Sequence, residues 1–229
     1  MLDSGSTTKI YTLFGPPGSG KGTAVRRLVR ESSGVVTLST GDLCRKHVSE
    51  GTDIGIEINK YTSVGNLVPD EIISAMVLEW VKEKDRDEKV EIVFLDGFPR
   101  SVGQVDALCD GFDCAGSNFA VVVFDLDDDE AEKRLSMRVV CGNKECQEIY
   151  SASTEPADGK CTHCGAEVVH RLDDDAGVIA CRISGYRETE NSIMERYGNC
   201  GAKVLHVNAK QDVPGVYDEF CEKIGFSSK

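Results

Sequence analysis

A glycine-rich stretch that carries one lysine, G-P-P-G-S-G-K-G-T, occupies residues 15–23. It follows the apolar run 10–14, which predicts a buried strand, and a predicted helix comes after it. Glycines let successive backbone N–H groups point at one anion, and the helix N-terminus adds positive partial charge. Lys21 adds a full charge, and Thr23 carries the hydroxyl that could bind Mg²⁺, because Gly22 stands where the strict pattern has Ser or Thr. The stretch predicts a phosphate-binding loop, and a glycine turn without a ligand is the alternative.

Two further polar motifs come directly after predicted strands. S-T-G-D-L-C-R at 39–45 follows the strand 35–38, and D-G-F-P-R at 96–100 follows the strand 91–95. Taken alone, the first motif is equally well explained as a helix N-cap. An isolated Asp-Gly would indicate only a turn, but the five-residue motif about 75 residues after the glycine-rich loop argues against that explanation of the second. Open α/β sheets bind ligands at the carboxyl ends of parallel strands, so Asp96 is a candidate for holding Mg²⁺ directly or through water.

Several arginines are spaced so that they could surround a phosphate. Arg134 and Arg138 follow the acidic segment 125–130, whose charges suit the start of a helix. Because they are four residues apart, we expect both on one face of that helix. Arg171 and Arg182 lie on either side of Asp173 and Asp174. The alternative is a set of surface salt bridges that contribute little stability.

Ten cysteines without a recognisable secretory signal predict metal ligands or buried thiols before disulfides. Four of them fall within about 24 residues, two of these as C-x-x-C, and four thiolates complete a structural, tetrahedral zinc site. The first arm is C-x4-C, which puts one ligand in doubt and leaves Glu145 or His163 as weaker substitutes. Two disulfides are the alternative. The predicted ligands are Cys141, Cys146, Cys161 and Cys164.

The composition is that of a globular chain. It has 229 residues, of which 40% are hydrophobic and 28% charged, which suits one domain with insertions. No apolar run approaches the ~20 residues of a membrane-spanning helix, so we expect no membrane partner. The net charge of -13 argues against a nucleic-acid partner, because such binding requires clustered positive charge.

Strand and helix signals alternate along the chain. Helical periodicity marks residues 72–81, 179–197 and 213–224, and the alternation is interrupted near 39–70 and 139–175. This order predicts an α/β fold with a doubly wound parallel sheet. The predicted strands are 10–14, 35–38, 91–95, 119–124 and 203–207.

Five motifs in register, covering nearly the whole chain, resemble the adenylate kinases with a zinc-bearing lid, among the nucleoside monophosphate kinases. They are G-K-G-T, S-T-G-D-L-x-R, D-G-F-P-R, R-x-x-x-R, and R-x-D-D with a later arginine. The resemblance implies a P-loop kinase fold: a five-stranded parallel sheet covered by helices, a small zinc-binding lid and a helical insertion for the monophosphate. The implied domains are the core at 1–38, 71–138 and 176–229, the monophosphate-binding domain at 39–70, and the lid at 139–175.

The resemblance also implies an activity, the reversible Mg²⁺-dependent transfer of the γ-phosphoryl group of ATP to AMP, giving two ADP. It implies a cytoplasmic monomer that serves adenine nucleotide homeostasis, with a structural Zn²⁺ in the lid. The implied ATP-binding residues are Gly18, Ser19, Gly20, Lys21, Gly22, Thr23, Arg134 and Arg138. The implied AMP-binding residues are Thr40, Arg45, Val68, Gly97, Arg100, Gln104, Arg171 and Arg182. The implied catalytic cations are Lys21, Arg100, Arg138, Arg171 and Arg182, with Thr23 and Asp96 for Mg²⁺ and Asp173 and Asp174 for lid closure.

Two other functions stay open at this point. Thr40 favours AMP, because related kinases for pyrimidine monophosphates tend to have alanine there, and Gln104 is implied on the adenine. The donor base is poorly specified, so a sister kinase that uses GTP, or that accepts UMP or CMP, is the nearest alternative. From a different class, the chain could be a nucleotide-binding regulator or a zinc-ribbon interaction protein without turnover. The full set of cationic residues argues against that class, and an activity assay separates the two.

Overall fold

The protein is described from a computed structural model, which covers residues 8–62, 68–143, 146, 148–151, 154–170 and 174–226, without the side chains of residues 42, 45 and 62. The strands are β1 (Lys9–Phe14), β2 (Val35–Ser39), β3 (Ile92–Asp96), β4 (Phe119–Asp125), β5 (Val139–Cys141), β6 (Ile149–Tyr150), β7 (Val168–His170) and β8 (Lys203–Asn208). The helices are α1 (Lys21–Glu31), α2 (Thr40–Glu50), α3 (Asp53–Thr62), α4 (Asp70–Asp85), α5 (Val102–Gly111), α6 (Asp128–Ser136), α7 (Ala176–Asn199) and α8 (Val213–Ile224).

Five strands form one parallel sheet in the order β2-β3-β1-β4-β8. They coincide with the five strands predicted from sequence, to within one residue at each end. Parallel neighbours require crossover connections, and helices provide them, as the α/β prediction requires. The predicted five-stranded parallel sheet covered by helices is confirmed.

Both faces of this sheet are covered, so its side chains pack into two hydrophobic layers. On one face Tyr11 and Phe94 stack with ring centroids 5.3 Å apart, and Phe220 of α8 packs 5.5 Å from Phe94. On the other face Tyr197 of α7 donates a hydrogen bond to Thr12 Oγ1 at 3.1 Å. Burial on both sides explains why β4 reads as an almost continuous apolar run.

The carboxyl ends of β1, β2 and β3 lie at one edge of the sheet. Asp96, the last residue of β3, is in register with Leu13 of β1 and with Ser39 of β2. The glycine-rich loop starts one residue after β1, and α2 begins at Thr40, directly after β2. The sheet therefore brings three of the predicted motifs to the same edge.

Helices α2 and α3 follow β2 and pack closely against each other. An added Cβ at Gly55 would lie 2.0 Å from the His47 carbonyl oxygen, so only glycine fits there. Thr52 Oγ1 accepts the Gly55 N–H at 3.1 Å and lies 2.9 Å from His47 Nδ1. Among the helices in the described part of the chain, none is both long enough and apolar enough to cross a bilayer.

Helix α6 confirms the predicted helix start at the acidic segment, because Asp127 caps it by accepting a backbone N–H of the first turn at 3.0 Å. The prediction that Arg134 and Arg138 share a face of this helix is wrong. The helix ends at Ser136, and the Arg138 N–H bonds the Leu135 carbonyl at 3.2 Å in the turn that leads into β5. Residue spacing alone does not fix where a helix ends, which explains the error.

A small antiparallel sheet, which the sequence did not predict, follows α6. Its strand order is β6-β5-β7, with Val139 and Val140 of β5 in register with residues of both neighbours. Cys141 is the last residue of β5 and is buried. The sheet thus fixes the position of one predicted zinc ligand relative to the loops on either side.

Candidate active site

The glycine-rich loop turns between β1 and α1 on three glycines with positive φ. Gly15, Gly18 and Gly20 have φ values of 137°, 83° and 89°, a region that other residues seldom adopt. A Cβ at Gly15 would also lie 2.6 Å from the Phe124 carbonyl oxygen. Gly20 is the N-cap of α1, and among the described residues no side chain caps this end of the helix. The first turn of α1 can therefore present its N–H groups and its dipole to an anion.

Lys21 is the first residue of α1, and its side chain folds back over the loop. Its Nζ donates to the carbonyl oxygens of Gly15 at 2.7 Å and Pro16 at 2.8 Å, and to Ser19 Oγ at 3.0 Å. These acceptors carry no formal charge, so they orient the ammonium group without neutralising it.

The pKa of Lys21 identifies the charged groups around it. The pKa of Lys21 is lowered to about 8, chiefly by loss of water around the ammonium group; Asp96 acts to raise this pKa, and Arg100, Arg182 and Arg138 contribute to lowering it. Electrostatic influence falls with distance, so all four groups lie near the loop. The structure thus gathers three predicted arginines and the predicted magnesium carboxylate around one lysine.

Gly22 explains the departure from the strict loop pattern. An added Cβ at this position would lie 3.1 Å from Asp96 Oδ2 and 3.4 Å from both terminal nitrogens of Arg26. A serine or threonine would crowd the carboxylate, and the hydroxyl instead belongs to Thr23, one residue further along α1. The first turn of α1 and the end of β3 therefore approach closely, and the carboxylate and hydroxyl oxygens there are of the type that Mg²⁺ prefers.

Asp174 joins two of the predicted catalytic arginines. Its carboxylate accepts two hydrogen bonds from Arg138, at 2.7 and 2.6 Å, and one from Arg182 at 3.2 Å. Only 4% of the Asp174 side chain and 12% of the Arg138 side chain are exposed, against 32% for Arg182. Because a bidentate contact fixes the plane of the guanidinium group, Asp174 determines the orientation of the Arg138 side chain.

Arg134 lies against the segment that follows β8. Its Nη1 donates to the Ala209 carbonyl at 2.8 Å and its Nη2 to the Gln211 carbonyl at 3.4 Å, while Nε pairs with Glu130 at 2.9 Å. A guanidinium group held in this way can stack on a planar base.

Thr40 and Arg100 meet at the backbone of the D-G-F-P-R motif. Thr40 Oγ1 donates to the Gly97 carbonyl at 3.0 Å, and Arg100 Nε donates to the same oxygen at 2.9 Å. Gly97 has a φ of 79°, and a Cβ there would lie 2.9 Å from an Arg100 nitrogen. The two predicted AMP-binding side chains are therefore held side by side, Thr40 at the start of α2 and Arg100 in the segment that follows β3.

Gln104 is almost fully buried, at 6% exposure, and belongs to a network that sequence reasoning missed. Its amide contacts the Arg100 N–H and the Asp70 carboxylate, and Asp70 also accepts a hydrogen bond from Ser101. The motif S-x-x-Q is the pattern of a helix-capping box and could have indicated that Ser101 and Gln104 act together. The role of Asp70 had no local signal, because it lies 34 residues before Gln104.

The four predicted zinc ligands form one cluster. The Sγ atoms of Cys141 and Cys164 are 3.3 Å apart, those of Cys146 and Cys161 are 3.7 Å apart, and all four lie within 4.8 Å of one another. All four thiols are free, in contrast to the disulfide alternative. The wider C-x4-C arm therefore does not remove Cys141 from the cluster.

Tyr150 stabilises the cluster from outside. Its hydroxyl donates to Cys161 Sγ at 3.2 Å. Burial acts to raise the pKa of this thiol, but the hydrogen bonds from Tyr150 and from the Cys164 and His163 backbone lower it to about 6. His163 contributes its N–H, 3.4 Å from the sulfur, and its imidazole is not part of the cluster.

Some predicted site residues are not described. Arg171 and Asp173 lie outside the described residues, as do Glu145 and the G-N-L segment at 65–67, and the side chain of Arg45 is likewise not described. Val68 is half-buried, two residues before α4.

A parallel sheet with a glycine-rich, lysine-bearing loop at its edge defines the chain as a P-loop nucleotide-binding protein. Comparison with known proteins agrees: the family model for adenylate kinase matches residues 13–202. Adenylate kinase of Methanothrix thermoacetophila is 35% identical over 213 residues, which cover 90% of this chain and 94% of that protein. Adenylate kinase of Methanosarcina barkeri is 33% identical, with the same coverage of each chain, and that of Thermosipho africanus is 35% identical over 209 residues, again 90% of this chain and 94% of that protein. The chain belongs to the adenylate kinase family, and it is therefore a nucleotide-binding kinase.

Proposed function

We propose that this site transfers the γ-phosphoryl group of ATP to AMP, reversibly, and gives two ADP. The observation that carries the proposal is the gathering of Asp96, Arg100, Arg138 and Arg182 around the ammonium group of Lys21. Phosphoryl transfer needs little covalent chemistry from the protein. It needs two aligned nucleotides, exclusion of water, and cations that neutralise charge on the moving group.

The donor nucleotide is assigned to the loop between β1 and α1. The loop N–H groups from Gly18 to Thr23 and the Lys21 ammonium bind the ATP phosphates, Arg138 adds a second cation, and Arg134 lies where its plane can cover the base. Mg²⁺ neutralises phosphate charge when it is bound with ATP, and the residues that would hold it are Thr23 and Asp96. The proximity of Asp96 to the first turn of α1 supports this assignment.

The acceptor nucleotide, AMP, is assigned to the part of the site that is formed by the start of α2 and the segment after β3. Arg100 binds the AMP phosphate, and Thr40, Gly97 and Gln104 contact the nucleoside, which their shared contacts around the Gly97 carbonyl support. Arg45 and Val68 complete this half of the site, as the family resemblance implies. Arg182, together with Arg171, stabilises the phosphoryl group during transfer, and Asp174 keeps Arg138 and Arg182 in place as the lid closes.

We assign three domains: the core at 1–38, 71–138 and 176–229, a monophosphate-binding domain at 39–70, and a lid at 139–175. The helix pair α2 and α3 supports the second assignment, and the separate sheet β6-β5-β7 supports the third. Two small mobile units on either side of the loop would exclude water before transfer, which is the usual work of such lids.

The lid is proposed to hold a structural Zn²⁺ on Cys141, Cys146, Cys161 and Cys164. Four sulfurs at about 2.3 Å from a tetrahedral zinc ion are about 3.8 Å from one another, close to the 3.3 Å between Cys141 and Cys164 and the 3.7 Å between Cys146 and Cys161. The Tyr150 hydroxyl would stabilise the Cys161 thiolate in its bound state. A lid of this size buries little core, so metal coordination would supply much of its folding free energy.

The enzyme is further proposed to act as a cytoplasmic monomer, with no membrane or nucleic-acid partner. The net charge of -13 supports the last point, because it opposes binding to a polyanion.

The proposal is tested by Arg182→Ala, with Arg196→Ala as a matched control on the same helix. Arg196 pairs with Asp106, and both side chains are about two-fifths exposed. Arginine contacts to a transferring phosphoryl group are worth about 10³-fold or more in rate. We expect Arg182→Ala to lose at least that factor in kcat while the thermal midpoint changes little, and Arg196→Ala to retain turnover. Unchanged turnover in Arg182→Ala would remove the role assigned to it.

A further inference from the structure

We propose that Asp70 is a positioning residue that fixes the orientation of the Gln104 carboxamide, and thereby makes the acceptor site prefer a 6-aminopurine to a 6-oxopurine. This inference rests on the proposed function and deepens it. It concerns a residue at the start of α4, 34 positions before the glutamine that it orients.

The contacts of Gln104 select one orientation of its amide group. Nε2 donates to Asp70 Oδ1 at 2.8 Å, and Oε1 accepts the Arg100 N–H at 2.7 Å. A carboxylate can only accept hydrogen bonds, and a backbone N–H can only donate. If the amide turned over, its oxygen would face the carboxylate and its NH2 group would face the N–H, so both contacts would be lost.

Asp70 is itself held in place. Its Oδ2 accepts the hydroxyl of Ser101, and the Ser101 oxygen accepts the Gln104 N–H at 3.1 Å as the N-cap of α5. An added Cβ at Gly103 would lie 3.0 Å from Asp70 Oδ2, so the carboxylate is packed directly against the first turn of α5. Gln104 is 6% exposed, and in such surroundings the hydrogen bonds are not weakened by competition from water.

A fixed amide distinguishes purines by the group at position 6. After its two protein contacts, Gln104 retains one N–H donor and one oxygen lone pair. Adenine offers an acceptor at N1 beside the amino donor at position 6, whereas hypoxanthine offers a donor at N1 beside an oxygen acceptor. The two edges have opposite order, so an amide that cannot turn over pairs with only one of them. Sites that hydrogen-bond their substrate reject a mismatched analogue strongly, because buried polar groups are left unpaired.

The test measures KM and kcat with AMP and with IMP as acceptors, for the unmodified protein and for Asp70→Asn. Asparagine can present either its NH2 group or its oxygen to Gln104, so this contact no longer selects one orientation of the amide, and only the Arg100 N–H still does. We expect at least a tenfold fall in the ratio of kcat/KM for AMP to that for IMP, a raised KM for AMP, and an unchanged KM for ATP. Asp106→Asn, on α5 and paired with Arg196, is the matched control and should leave the ratio unchanged.

A double-mutant comparison separates positioning from a general structural role. If Asp70 acts through Gln104, Asp70→Asn should have no further effect on discrimination in a Gln104→Ala background. Should Asp70→Asn fail to fold, Asp70→Glu answers the same question, because it keeps the charge at the helix N-terminus and moves the carboxylate by one methylene. We expect it to lower the discrimination ratio as well.

A folded Asp70→Asn or Asp70→Glu variant with the original ratio would overturn the inference, as would an undiminished effect in the Gln104→Ala background. If the unmodified protein does not turn over AMP at all, the proposed function is contradicted, and this inference with it.

Discussion

Replacing Asp174 with asparagine tests the arrangement that holds two predicted catalytic arginines together. The substitution keeps the shape of the side chain but removes its charge and places an NH2 group opposite guanidinium donors. Three hydrogen bonds are affected, two to Arg138 and one to Arg182. Hydrogen bonds to charged groups contribute about 1.5–3 kcal/mol each, and breaking a buried pair costs about 3–5 kcal/mol. Arg182 is a third exposed and can hydrate, so we expect a loss of about 3 kcal/mol in the free energy of unfolding.

The assay is urea denaturation, with the midpoint read at a constant m value. The matched control is Asp128→Asn, which removes a carboxylate paired with Arg187 where the two side chains are 51% and 35% exposed. Exposed pairs of this kind contribute at most about 1 kcal/mol. The reasoning is refuted if Asp174→Asn loses no more stability than Asp128→Asn.

Three further predictions concern the glycine-rich loop, helix α7 and the lid. Lys21 has a pKa of about 8, so roughly three quarters of its side chains are neutral at pH 8.5. The phosphates of ATP favour the charged ammonium form, so we expect ATP binding to be accompanied by proton uptake at pH 8.5 and by almost none at pH 7. Calorimetry in buffers of different ionisation enthalpy measures this uptake, and its absence at pH 8.5 would contradict the assignment. Gly185→Ala on α7 should raise the free energy of unfolding by up to about 1 kcal/mol, because no described atom outside the helix's own backbone lies within 4 Å of the added methyl group. Gly22→Ala should not raise the free energy of unfolding, because the added methyl group would lie 3.1 Å from Asp96 Oδ2. Chelation of zinc should unfold the lid before the core in a thermal scan, and an unchanged scan after complete metal removal would exclude a structural metal.

The sequence predicted the sheet well because its three central strands, β3, β1 and β4, are buried on both faces, which leaves few other environments that fit them. Runs such as F-A-V-V-V-F in β4 can be placed in few other ways in a chain of this size. The glycine-rich loop was equally clear, because positive φ at Gly18 and Gly20 and the tight approach at Gly15 demand those residues.

What failed depended on contacts between distant parts of the chain. Spacing suggested that Arg138 continues α6, but the chain leaves the helix at Ser136 and the arginine pairs with Asp174, 36 residues away. Likewise Asp70 read only as a helix start, and its contact with Gln104 appears only when α4 and α5 are brought together. Local patterns cannot report such pairs, because they arise from packing.

The cysteine cluster lies between these two cases. The residue types indicated a zinc site, while the C-x4-C arm made Cys141 uncertain. Strand β5 settles its position, because Cys141 ends that strand with its sulfur 3.3 Å from that of Cys164. The two extra residues of the arm therefore do not displace this ligand from the cluster.

The most direct test of the account is a coupled assay of ADP formation from ATP with Mg²⁺, using AMP, UMP and CMP in turn as acceptors. The account predicts rapid ADP formation with AMP and little with either pyrimidine monophosphate. Turnover with UMP or CMP in preference to AMP would contradict the roles of Thr40 and Gln104, and no turnover with any acceptor would contradict the central claim that this site is a kinase.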